Sequence, residues 1–245
     1  MVTILVLQYN IYFIVKETNR LSICFLLCYN YSMIKKILKE NYLILMLIAI
    51  TIIIFYVLKN SNSVYKIIDF DNKVIEFFKY LHVNKFTNIM KAITFFGDWY
   101  IPVLIIVCIF LAFKNKWYSY IMTTSYAFAG VLAFITKFLI ARPRPLVALT
   151  KIPSSYSFPS GHTLTSIVFY LTLCYLITIN LKDYKRKILL FLITTLIFFV
   201  ALSRVYLGVH FFSDVIGGFI LGILCEIFII RVINKNFIDK IIKKQ

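Results

Sequence analysis

The feature that most constrains this chain is a series of apolar runs of membrane-spanning character: Tyr42–Leu58, Tyr100–Phe113, Trp117–Ala141, Gly161–Asn180, Ile188–Leu202 and Phe212–Val232. A helix needs about 20 mostly apolar residues to cross the hydrocarbon of a bilayer. Inside that hydrocarbon each backbone N–H and C=O must be satisfied within the protein, which a helix does by itself. Hydrophobic residues make up 61% of the 245 positions, above the roughly half expected of a soluble domain. The sequence therefore predicts an all-α fold: a polytopic membrane protein with a six-transmembrane-helix bundle. Between the first two spans, Val74, Phe77, Phe78 and Leu81 recur at helical spacing, as do Phe86, Ile89, Met90 and Ile93, with a phase break near 82–85. That pattern predicts two short amphipathic helices on the membrane surface.

Lys and Arg number 27 against 10 Asp and Glu, a formal charge of +17. No soluble basic domain carries the excess, so the balance argues against nucleic acid and for membrane lipids as the partner. With both termini cytoplasmic, Lys35, Lys36 and Lys39, Lys114 and Lys116, Lys182 to Lys187, and the tail from Arg231 fall on one side, as the positive-inside bias demands. The segments 59–99, 142–160 and 203–212 then face outwards. Residues 1–34 read as an N-terminal extension with Met33 a candidate start, and 35–245 as one membrane domain. No basic n-region precedes the first apolar residues, which argues against a signal peptide. Cys24, Cys28, Cys108, Cys174 and Cys225 lie in apolar runs with no CxxC pair, so free buried thiols are expected, with no disulfide framework or zinc site.

Three polar clusters fall on the expected outer face. One is Lys137 with Arg142-Pro143-Arg144-Pro145, a second Pro159-Ser160-Gly161-His162, and a third runs from Ser203-Arg204 through His210 to Asp214. Ionisable groups at a membrane segment are costly and default to function. His210 and Asp214 are one helical turn apart, so the carboxylate can orient the imidazole and leave its other nitrogen to attack phosphorus. Lys137, Arg144 and Arg204 suit a phosphate or pyrophosphate group. Ser160 and Gly161 open a helix whose free N–H groups can cradle the same anion. His162, at that helix start, can protonate a leaving group. Taken singly, each has a blander reading: Lys137 or Arg142 as a snorkelling anchor, Ser160 as an ordinary N-cap, His210–Asp214 as a self-satisfied polar loop. His82 reads as an interfacial side chain. Gly218 and Gly222 read as internal helix packing rather than a dimer face. Asp214 is the only acid within the three motifs, so no metal site and no cofactor are expected.

Together the motifs resemble the type 2 phosphatidic acid phosphatases, a superfamily that includes the vanadium-dependent haloperoxidases. Its pattern is Lys-x6-Arg-Pro, Pro-Ser-Gly-His and Ser-Arg-x5-His-x3-Asp, matched by Lys137 with Arg144-Pro145, by Pro159 to His162, and by Ser203-Arg204, His210 and Asp214. The six-residue gap selects Arg144 and leaves Arg142 auxiliary. The resemblance spans about 40–230 and implies a metal-independent membrane phosphatase working through a phosphohistidine. His210 would be the nucleophile, Asp214 its orienting partner and His162 the general acid. Lys137, Arg144, Ser160, Gly161 and Arg204 would hold the phosphate. The implied substrate is a lipid phosphate or diphosphate: undecaprenyl diphosphate first, since an outward site suits recycling of a carrier lipid, then phosphatidylglycerol phosphate or phosphatidic acid. Readings of a different class are a haloperoxidase-like oxidoreductase, disfavoured by the spans and the absence of a large soluble domain, and a lipid or phosphate transporter, disfavoured by intact His162, His210 and Asp214.

Overall fold

The computed structural model describes residues 20–60, 64–114, 116–179 and 181–233. The first 19 residues of the expected extension lie outside them, and the side chains of Cys24 and Cys28 are not described. In chain order the helices are α1 (Arg20–Asn60), α2 (Val64–Tyr80), α3 (Asn84–Phe95), α4 (Tyr100–Ala112), α5 (Trp117–Ile140), α6 (Gly161–Thr178), α7 (Asp183–Tyr206) and α8 (Phe212–Val232). The chain divides into two compact units, residues 1–46 and 47–245. The first holds the amino-terminal part of α1, and the candidate site lies in the second.

Among the described residues, five helices are long and apolar enough to cross a membrane: α1 over Ile37–Asn60, then α5, α6, α7 and α8. The run at Tyr100 forms a helix of only 13 residues. At 1.5 Å per residue that is about 20 Å, short of the roughly 30 Å hydrocarbon layer. It reaches spanning length only together with α3, from which it is bent by 43°. Counted as one, the α3–α4 pair gives a sixth segment of spanning length, bent at its middle. Its break, Phe96-Gly97-Asp98-Trp99, puts an acid and a bend between the two halves. The amphipathic pair between the first two spans forms as the spacing predicts, with the phase break at 81–83.

Tyr206, the last residue of α7, is fully buried and fixes that break. The rings of Phe78, His82 and Phe86 meet it edge-on at 6.0, 5.1 and 5.2 Å. Its hydroxyl pairs with Thr87 Oγ1 at 3.0 Å, and His82 Nε2 reaches its carbonyl oxygen at 3.1 Å. His82 is therefore a half-buried tie between elements, not the interfacial side chain expected. Beyond Tyr206 the chain reverses at Gly208, whose φ of +66° suits glycine. A Cβ there would stand 2.5 Å from the carbonyl oxygen of Val147, so the 203–212 turn and the 142–160 loop pack backbone to backbone.

The small-residue face of α8 works inside the bundle. A Cβ on Gly218 would fall 2.8 Å from the backbone oxygen of Ser160, and one on Gly222 3.0 Å from Ile167. Glycine here lets α8 press against the start of α6, as the pairing of Gly218 with Gly222 suggested. The expectation of buried thiols holds for Cys174 and Cys225 but not for Cys108, which is exposed. Its position on α4 turns outwards, where a bilayer would cover it.

Gly218→Val should collide with backbone and lower both the thermal midpoint and activity of the purified protein in detergent. Gly130, mid-α5, has nothing within 4 Å of its would-be Cβ. Gly130→Ala should leave activity intact and raise stability by about 0.5–1 kcal/mol. Equal effects of the two variants would contradict this packing.

Candidate active site

Helix α8 begins at Phe212, and its early residue Asp214 points back into the protein with no exposure. A buried carboxylate must be paired, and this one is paired on all sides. Oδ2 accepts from the N–H of Phe211 at 2.9 Å and from the hydroxyl of Ser157. Oδ1 accepts from Arg142 Nη1 at 2.7 Å. His210 Nδ1 faces Oδ2 at 3.5 Å, too long for a formed hydrogen bond, and among the described residues this buried nitrogen has no other partner.

The other ring nitrogen, Nε2, lies 3.1 Å from Arg144 Nη1. A guanidinium can only donate, so Nε2 carries the lone pair and Nδ1 carries the proton that points at Asp214. His210 is held neutral: burial, with Lys137 and Arg144 acting in the same direction, outweighs Asp214 and pushes its pKa down to about 3. The result is a sequestered neutral imidazole whose Nε2 lone pair accepts from the Arg144 guanidinium.

The other expected residues converge on the same region. Arg144 also donates to the carbonyls of Val209 and Ser155, each at 2.7 Å. Lys137 Nζ donates to the carbonyl of Tyr156 at 2.6 Å, and its Cε lies 3.8 Å from where a Cβ on Gly161 would be. Ser160 caps α6, accepting from the N–H of Thr163 at 3.5 Å and its hydroxyl at 2.9 Å, while its own N–H donates to the carbonyl of Asp214 at 3.0 Å. The cap ties the cradle of α6 directly to the start of α8, and the hydroxyl of Ser160 keeps its own proton to donate. Arg204 is buried; Nη1 donates to Thr94 Oγ1 at 2.6 Å, and Nε–H has no partner among the described residues. A buried cation with an unused donor is an anion-binding feature.

His162 Nε2 pairs with Asp98 Oδ1 at 2.9 Å, and Tyr100 holds the second oxygen at 2.7 Å. Asp98 comes from the α3–α4 break, where Gly97 admits the ring: a Cβ on Gly97 would stand 2.8 Å from His162. The sequence reading missed Asp98, which looked like one acid among several in 59–99. It also missed Asp71, fully buried and bonded to Arg142 Nη2 at 2.7 Å. A signal was present, since Asp71 is three and seven residues before Val74 and Phe78, on the apolar stripe of α2. Arg142 also belongs to the cluster. It bridges Asp71 and Asp214, because the Arg-Pro repeat places its two arginines differently: Arg144 towards His210, Arg142 behind Asp214. Among the described residues, no group of three or more His, Cys, Asp or Glu side chains is placed to hold a metal. A cavity of about 770 Å³ lies on the Arg142 side of the cluster; Phe55, Ile67, Phe70, Phe158 and Phe212 line it and Lys59 borders it.

Because His210 is neutral when folded, the unfolded chain alone takes up a proton there below its ordinary pKa of 6.5. That contribution to stability is complete above pH 6.5 and is lost as pH falls towards about 3. The thermal midpoint should drop between about pH 7 and 5, and His210→Gln should flatten part of that slope; an unchanged slope would assign the fall to other groups.

The profile of the PAP2 superfamily matches residues 117–238, which contain all three motifs. Phosphatidylglycerophosphatase B of Bacillus subtilis is 35% identical over 142 residues, 56% of this chain and 70% of that protein. An undecaprenyl-diphosphatase of Sulfolobus acidocaldarius is 28% identical over 178 residues, 68% of this chain and 82% of that protein. The crystal structure of a transmembrane PAP2-type phosphatidylglycerolphosphate phosphatase from Bacillus subtilis superposes with a TM-score of 0.69 at 26% identity, over 80% of this chain and 96% of that one. At 35% identity over 70% of the length of the Bacillus phosphatidylglycerophosphatase B, this chain belongs to the PAP2 superfamily, as one of its multi-pass membrane phosphatases.

Proposed function

We propose that the protein removes phosphate from a lipid phosphate or diphosphate through a phosphohistidine on His210. One observation carries this reading: the lone pair of a neutral, buried imidazole meets Arg144, and the opposite nitrogen carries its proton towards a buried carboxylate. Lys137, Arg144, the unused Nε–H of Arg204 and the α6 N-terminus receive the phosphate, each charge-assisted contact contributing about 1.5–3 kcal/mol. Nε2 attacks phosphorus and the bond to the leaving oxygen breaks. His162, oriented by Asp98, gives that oxygen a proton. The phosphoimidazole keeps its Nδ1 proton and is cationic, and Asp214 stabilises it. Water then attacks phosphorus, His162 takes its proton, the N–P bond breaks, and phosphate leaves with His210 neutral again.

The apolar cavity beside Arg142 supports a substrate with a hydrocarbon tail. The Sulfolobus relative supports undecaprenyl diphosphate, our first choice; the Bacillus relative, which shares more identity, supports phosphatidylglycerol phosphate as the second reading. The distribution of basic residues supports cytoplasmic termini and a site on the extracytoplasmic face.

Phosphate release from undecaprenyl diphosphate, phosphatidylglycerol phosphate and phosphatidic acid, each in detergent with a metal chelator, should show turnover of at least one. His210→Ala should abolish it, and acid-quenched wild-type enzyme should carry labelled phosphate on histidine. Turnover by His210→Ala, or loss of wild-type activity to the chelator, would refute the mechanism. Leu146 projects from the site loop and is 94% exposed. In a variant with Cys108 replaced by serine, Leu146→Cys should react with a membrane-impermeant maleimide on intact cells; labelling only after lysis would reverse the orientation.

A further inference from the structure

The roles above leave buried Asp71 and the part-buried Arg142 that it contacts without a task. Asp71, from α2, accepts three hydrogen bonds: from Arg142 Nη2 at 2.7 Å, from the N–H of Ser213 at 2.9 Å and from the hydroxyl of Ser213 at 2.5 Å. Arg142 turns its other arm to Asp214 Oδ1 at 2.7 Å and to the hydroxyl of Ser213 at 2.6 Å. Its guanidinium also stacks on the ring of Phe211, 4.2 Å from the centroid. One planar fork therefore spans two carboxylates, each without exposure. A lysine ammonium, a point charge without the fork, could not hold both in this geometry.

We infer that Asp71 and Arg142 are positioning residues for phosphoryl transfer, fixing Asp214 and through it the ring of His210. The inference rests on the assignment of His210 and Asp214 under Proposed function. Its physical content is a division of labour within one carboxylate. Asp214 Oδ1 is committed to Arg142, so Oδ2 is left for Ser157, the helix start and His210. Asp71 then holds Arg142 from behind and pins Ser213, the residue before Asp214. Two aspartates and one arginine also leave the cluster one negative charge. That charge complements the cation that forms when the His210 ring is phosphorylated. Asp71 belongs to α2 and the chemistry to α8, so α2 is part of the catalytic frame rather than a passive surface helix.

The test measures phosphate release by the full chain in detergent, with undecaprenyl diphosphate, phosphatidylglycerol phosphate and phosphatidic acid each as probe. Asp71→Asn should lower kcat about 10- to 100-fold with KM within about twofold, the scale seen when outer-shell partners of catalytic groups are removed. Arg142→Lys keeps the charge but not the fork and should give a similar loss, which carries the test if Asp71→Asn does not fold. Combining the two should cost no more than the worse single variant, because they act as one unit. Unchanged kcat in a folded single variant, a KM effect alone, or multiplicative losses in the double variant would overturn the inference while leaving His210 as nucleophile. Turnover by His210→Ala would bring down both readings.

Discussion

Asp214 is the interaction on which the rest depends. A carboxylate without exposure is tolerable only if donors surround it, and those donors come from distant parts of the chain: Ser157 and Arg142 from the loop after α5, Phe211 from its own helix start, and behind Arg142 the acid Asp71 of α2. Satisfying one buried charge therefore fixes the relative positions of α2, the 142–160 loop and α8. His210 inherits that order because its Nδ1 proton has only Asp214 to face.

The backbone around this charge is built to let segments approach closely. Gly208 puts the turn after α7 against Val147, Gly218 puts α8 against Ser160, and Gly97 lets the α3–α4 break receive the ring of His162. Tyr206 locks the break between α2 and α3 onto the end of α7. The two histidines thus sit at two different interruptions of helical structure, each beside an aspartate supplied by another part of the fold or by the next helical turn. Loop backbone with buried polar groups is expensive in a membrane protein, and here those groups are spent on the carbonyl contacts of Lys137 and Arg144.

Much of this was legible beforehand because the signals are local. Run length gives spans, helical periodicity gives α2 and α3, and an i, i+4 spacing gives His210 with Asp214. The three motifs gave the membership in the superfamily that the comparisons support. Less legible was whatever depends on which acid meets which base. Arg142 and Arg144 look interchangeable in an Arg-Pro repeat, yet one faces Asp71 and Asp214 and the other His210. Asp98 and His162 are 64 positions apart and Asp71 and Arg142 are 71 apart, so no spacing could reveal either pair.

The sequence by itself determined that this chain crosses a membrane as helices, which stretches carry ionisable groups against the cost of burial, and which histidine has a carboxylate one turn away. Those properties follow from hydropathy and short-range geometry, which act within a few residues. Only the tertiary structure decided that α3 and α4 meet at a 43° bend, that Asp98 pairs with His162, and that Arg142 with Asp71 stands behind Asp214. Those depend on long-range charge pairing in a low-dielectric interior, where each buried charge takes the partner that folding brings within reach.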